Sequence, residues 1–282
     1  MIEKIPSRLT DRIILLYELV LSVLLILFQS DRVNTTHHLM INAIIIVGVI
    51  SLWRINTSSN IIKWFRTFYP LALMGLLYPQ ACELRFLFSP QEFDPILLRW
   101  EINLFGAEWY RVFSQLPVII LEFFHGIYFF YYTALFLFAS LAWRSKPTLV
   151  SQYIFVLTLS SLLHHFIIIS FPASGPVPLR AELMPDGFLF IPLMDWIYAN
   201  ADKGGGAFPS LHVASTIILS KFAIRFNSNH RIFVFGLALG IILSTIVGSF
   251  HYAIDGLAGI ITGWLAYHLG NWLFLRLHHE ES

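Results

Sequence analysis

Apolar residues along this chain come in long unbroken runs, not in the alternation of a half-buried strand. Eight runs approach the length that crosses a bilayer as a helix, about 20 residues: 12–29, 38–54, 64–80, 117–142, 148–171, 209–226, 231–249 and 252–274. Runs of this kind predict helices, because within lipid every backbone N–H and C=O must be satisfied inside the segment. The third run is the weakest, with Pro70 and Pro79 in it. Short polar breaks such as RSKP (144–147) and RFNSNHR (225–231) set several boundaries. Two connections are long. Residues 81–116 carry EFDPILLRWEINLFG, where Ile96, Leu97, Trp100 and Leu104 recur at helical spacing among charges. That is the pattern of a helix lying in the membrane interface. Residues 172–208 hold FPASGPVP, then LFIPLMDWIY, then three glycines.

Composition agrees with the pattern. The 282 residues are 57% hydrophobic and 12% charged, with a mean hydropathy of +0.70, where soluble domains carry roughly 25% charged residues. The expected fold class is therefore all-α, a polytopic membrane helix bundle. A net charge of +1 gives no reason to expect nucleic acid, and no protein partner can be inferred. Cys82 is the one cysteine, which excludes an intrachain disulfide and a multi-cysteine metal site. The first run follows Lys4, Arg8 and Arg12 with no small-residue cleavage site after it, and reads as an uncleaved anchor. With eight helices and both termini cytoplasmic, twelve basic residues fall inside and six outside, the latter Arg32, Arg85, Arg99, Arg111, Arg180 and Lys203. That bias obeys the positive-inside rule and puts both long connections on the extracytoplasmic side, periplasmic or lumenal.

Two polar islands stand out. GGGAFPSLHVAS (204–215) opens the sixth run, with Pro209 at a position where its missing N–H costs nothing. The free N–H groups of that first turn, with those of Gly204, Gly205, Gly206 and Ala207, offer a seat for an anion, and Ser210 and His212 stand beside it. GSFHYAIDGLAG (248–259) lies between the last two runs, with His251 and Asp255 four residues apart and facing each other if helical. A carboxylate on one ring nitrogen fixes the tautomer and leaves the other nitrogen free to attack. By topology both islands meet at one membrane face. Each has a plainer reading taken singly: a turn, a solvated histidine, a structural hydrogen bond. Together they point to function, because ionisable groups at the edge of membrane spans are costly. His164, His165, Glu18 and Glu122 read as packing or locally paired residues.

At GAFPSLH (206–212) and HYAIDGLAG (251–259) the chain resembles the phosphatidic acid phosphatase type 2 superfamily. Within it the likeness is closer to the inositolphosphotransferase branch, which includes inositol phosphorylceramide synthases. Weaker likeness extends through FDPILLRWEINLFG (93–106) and FPASGP (171–176). The resemblance implies a six-helix catalytic core within 64–275, an added pair of transmembrane helices in 1–63 and a cytoplasmic tail at 276–282. It also implies phosphoryl-type transfer through a covalent histidine intermediate, without metal or other cofactor. By position His251 is the nucleophile, Asp255 its orienting carboxylate and His212 the acid–base group, with Ser210 and nearby amides on the nonbridging oxygens. Two departures matter. The superfamily's phosphatases carry an arginine six residues before the nucleophilic histidine, where this chain has Thr245, and their upstream Lys-x6-Arg-Pro motif is absent. A monoester carries close to two negative charges and a diester one, so fewer cations suit a diester, with Lys203 or Arg180 as possible substitutes. The expected activity is transfer of a phospho-head group from a membrane phospholipid to a lipid alcohol or water. The rivals are a lipid phosphate phosphatase, a metal site built from two histidines and a carboxylate, and a catalytically inactive lipid transporter or binding protein.

Overall fold

The computed structural model describes residues 9–55, 59–201 and 203–281; Lys4 and Arg8, counted above toward the basic side, lie outside them. The described residues form twelve α-helices and no β-strand: α1 Leu9–Leu27, α2 Thr35–Arg54, α3 Asn60–Glu83, α4 Asp94–Phe105, α5 Trp109–Ser114, α6 Val118–Ala142, α7 Pro147–Ser170, α8 Arg180–Leu183, α9 Phe190–Ala201, α10 Leu211–Phe226, α11 Arg231–Val247 and α12 Ala253–Glu281. Each of the eight apolar runs lies within or largely within a long helix. Four of these, α2, α6, α7 and the stretch Ser228–Val247 that contains α11, are long and apolar enough to cross a membrane. α3 continues through both Pro70 and Pro79, as prolines do where neighbouring helices re-satisfy the freed backbone groups.

α7 is the axis of the bundle. Tyr153, Ile154, Phe155, Val156 and Leu157 are buried in succession, which places neighbours on every side of the helix. Those neighbours include α1, α3, α10 and α12. The N-terminal pair docks through α1, where Tyr17 packs edge-on to Phe166 at 4.9 Å. α2 adds a polar link, its Asn42 amide pairing with that of Gln80 on α3 at 2.7 Å.

The closest crossing is that of α10 and α12. A Cβ at Gly259 would sit 2.6 Å from the Ser210 carbonyl oxygen, and one at Gly263 would sit 2.6–2.7 Å from the Ala214 backbone. Small residues spaced by four let two helix backbones touch. Here that contact brings the two polar islands together. α3, α7 and α11 end, and α6, α10 and α12 begin, at this same end of the bundle.

Candidate functional site

The glycine stretch is stitched to the loop that follows α7. Ala173 donates to the Gly205 carbonyl (3.0 Å), Ala207 donates to the Ala173 carbonyl (2.7 Å), and the Gly205 N–H donates to Ser174 Oγ at 3.0 Å. Gly205 has φ +82°, and a Cβ there would collide with the Arg85 side chain. Only glycine satisfies both demands. Two of the amides expected to face an anion, those of Gly205 and Ala207, are thus used inside the loop. Gly206 is pressed against the Tyr78 hydroxyl and Cys82. Ser210 caps α10, its Oγ accepting from Val213 N–H at 3.4 Å, and its own N–H donates to the Asp255 carbonyl at 3.1 Å.

The two imidazoles lie 5.7 Å apart, centroid to centroid. His251 precedes α12 instead of sitting on it, in a tight turn where Ser249 has φ +51° and both Phe250 and His251 donate to the Thr245 carbonyl at 3.0 Å. Its Nδ1 is 2.9 Å from the Ala207 carbonyl and 3.6 Å from Asp255 Oδ2. A carbonyl can only accept, so Nδ1 carries the hydrogen and Nε2 holds the lone pair. Asp255 is fully buried, and its Oδ2 accepts from the Tyr252 N–H at 2.9 Å. The carboxylate thereby braces the turn that carries the ring, while the ring's own hydrogen bond goes to the Ala207 carbonyl. His212 Nε2 faces the hydroxyls of Tyr128 (3.0 Å) and Tyr132 (3.3 Å) on α6.

The two cations expected near phosphate differ in burial. Arg180 is buried, 2.6 Å from Asp195, bonded to the Gly248 carbonyl and stacked over Phe250 at 4.0 Å. Lys203 is exposed. Arg85, at the end of α3, is the cation folded onto the glycine stretch: it donates to the Lys203 carbonyl at 2.7 Å and to Glu92 at 3.1 Å.

Sequence reasoning missed the residues that hold this arrangement. On α4 the inward face is Asp94, Leu97 and Glu101, while Trp100, Ile102 and Leu104 are exposed, so two carboxylates share the inward face with one leucine. Asp94 accepts from the N–H groups of Ser174 (3.0 Å) and Gly175 (2.7 Å) and from the Tyr252 hydroxyl (3.2 Å). Glu101 accepts from Ala253 (3.2 Å) and Ile254 (2.8 Å), the first two residues of α12. Burial raises both carboxyls above their usual range, and the N–H bonds pull them partly back. Glu122 holds the start of α9 as Glu101 holds that of α12, accepting from Phe188, Leu189 and Phe190 at 2.6–3.0 Å. Carboxylates at helix starts satisfy orphan donors and oppose the positive end of the dipole. The sequence did carry a signal: Asp94 and Glu101 share a helical face with Leu97.

His212 also forms the polar end of a cavity of about 370 Å³ between α3, α6, α7, α9 and α10. Tyr132, Tyr198 and Ser215 share that end, and the walls beyond are Leu71, Met74, Leu135, Phe136 and Leu157.

No curated protein matches the chain, and no solved structure does. A family model described as PAP2 superfamily matches residues 97–269. The match begins in α4 and ends in α12, taking in both histidines, Asp255 and the carboxylate that caps α12. Members of that superfamily are generally phosphatases or phosphotransferases. Because the match covers well over half of the chain, this protein belongs to the PAP2 superfamily.

Proposed function

We propose that this protein is an integral membrane lipid phosphotransferase of the inositolphosphotransferase-like branch, with eight spanning helices, its termini in the cytoplasm and its site on the extracytoplasmic face. One observation carries the reading. His251, its Nδ1 fixed by a carbonyl, stands beside a second histidine that forms the polar end of an apolar cavity. On this reading the lipid chain lies among Leu71, Met74 and Phe136 and the phosphate at the His212 end of the cavity, next to the His251 ring, whose centroid is 5.7 Å from that of His212. His251 Nε2 attacks phosphorus, the bond to the leaving alcohol oxygen breaks, and His212 gives that oxygen a proton. An acceptor alcohol then returns its proton to His212 and attacks phosphorus, breaking the bond to nitrogen. The Ala207 carbonyl holds the nucleophile's ring and Asp255 the turn that carries it; Ser210 and the first turn of α10 face the phosphate oxygens. The pairing of Arg180 with Asp195 reduces the free positive charge near the site, which favours a diester over a monoester.

The test uses radiolabelled long-chain phosphatidylinositol and phosphatidic acid in detergent micelles with a short-chain diacylglycerol as acceptor, so that the labelled product separates from the donor. Transfer of the labelled head group, with label trapped on the wild-type protein and absent from a folded His251→Ala variant, supports the reading. Free phosphate released from phosphatidic acid as the dominant product overturns it in favour of a lipid phosphatase. Turnover retained by His251→Ala overturns the nucleophile assignment.

A further inference from the structure

His212 and His251 differ in what their ring nitrogens touch. The Ala207 carbonyl at His251 accepts and never donates, so it locks one tautomer. A phenol hydroxyl both donates and accepts, and His212 Nε2 faces two of them. The nearer, Tyr128, lies in turn 2.6 Å from the Tyr198 hydroxyl. The chain from Nε2 through Tyr128 to Tyr198 can therefore run either way. Its hydrogens point toward the imidazole when Nε2 is bare, and away when Nε2 carries a proton. The heavy atoms stay where they are. Tyr128 is fully buried and stacked on Phe250 at 4.2 Å, which stacks on Tyr198 at 4.7 Å. Phe250 is the residue before His251, so one aromatic stack ties the phenol pair to the nucleophile's turn.

We propose that Tyr128 is the positioning residue of His212, holding Nε2 in both its protonated and its bare state through a reversible hydroxyl pair with Tyr198. The proposal rests on the reading of His212 as the acid–base group. An alcohol oxygen entering from the cavity reaches Nε2 on the side of Tyr132, whose longer contact it replaces. When His212 protonates the leaving oxygen, Nε2 becomes bare and Tyr128 turns its hydrogen inward. When the acceptor's proton arrives on Nε2, the pair turns back. The proton lost in the first half of the cycle is regained in the second, and the phenols carry none away. Partners of this two-way kind suit a group that must alternate, as a one-way carbonyl suits a nucleophile that must not.

The experiment compares Tyr128→Phe, Tyr198→Phe, His212→Ala and Tyr153→Phe on the radiolabelled donors above. Tyr153 is an equally buried phenol on α7 whose hydroxyl donates to the Leu135 carbonyl, and it serves as the control. A displaced acid–base group costs on the order of a hundredfold, so Tyr128→Phe should lower kcat by about tenfold to a hundredfold. KM should change little, and the apparent pKa in the kcat–pH profile should move. Tyr198→Phe, half-exposed and easily tolerated, should act in the same direction more weakly. Tyr153→Phe should leave both readouts alone. If His212→Ala abolishes turnover while Tyr128→Phe and Tyr198→Phe behave like Tyr153→Phe, the positioning role is refuted and the acid–base reading stands. If His212→Ala retains turnover, the acid–base reading itself fails.

Discussion

Removing the Glu101 carboxylate tests whether α4 holds the start of α12 in place. In Glu101→Ala the N–H groups of Ala253 and Ile254, two half-buried residues now 3.2 and 2.8 Å from carboxylate oxygens, lose an acceptor that is itself buried. Hydrogen bonds to charged groups contribute about 1.5–3 kcal/mol each. The truncation also leaves a void, but burial of the carboxylate costs energy in the parent and offsets part of the loss. A net destabilisation of about 3–4 kcal/mol follows. At about 2–4 °C per kcal/mol for a chain near this size, the unfolding midpoint of the purified protein should fall by about 10 °C. Glu101→Gln keeps one acceptor oxygen and sets an NH2 against the other donor, so it should fall between the two. Differential scanning fluorimetry in detergent reads the midpoint. A Glu101→Ala protein that melts with the wild type would refute the reasoning, because the bonds would then contribute nothing net.

Two further predictions rest on packing. Gly263→Ala places a Cβ 2.6–2.7 Å from the Ala214 backbone, and such overpacking costs about 1–3 kcal/mol. Gly256→Ala meets open space on the same helix and should leave the midpoint unchanged or higher; equal effects from the two would count against the close crossing. Met74→Trp narrows the cavity and should raise KM several-fold for long-chain donors while sparing short-chain analogues. A loss independent of chain length would mean that the cavity does not hold the lipid chain.

Much of the architecture was legible in the order of residues. Continuous apolar runs leave the backbone few options in an apolar setting, and each of the eight lies within or largely within a long helix. The polar islands were legible too, since glycines, a hydroxyl and imidazoles are conspicuous among Leu, Ile and Phe. What stayed hidden was partnership across long separations. Glu101 reads as one charge of an amphipathic helix until its partners, about 150 residues on, are known. Tyr128 and Tyr132 look like packing residues in FFHGIYFFYYTA (123–134), and nothing local says that their hydroxyls meet an imidazole on α10. Arg180 carries a full charge in the sequence, and only the fold shows it paired with Asp195.

The sequence by itself determined the helices, their approximate ends and the chemical character of the two islands, because hydrophobic periodicity and backbone satisfaction act within a single segment. The tertiary structure decided which nitrogen of His251 is free, which phenols face His212 and which carboxylates cap α9 and α12. Hydrogen bonds are short and directional, so each of those choices depends on distances between segments far apart in the chain.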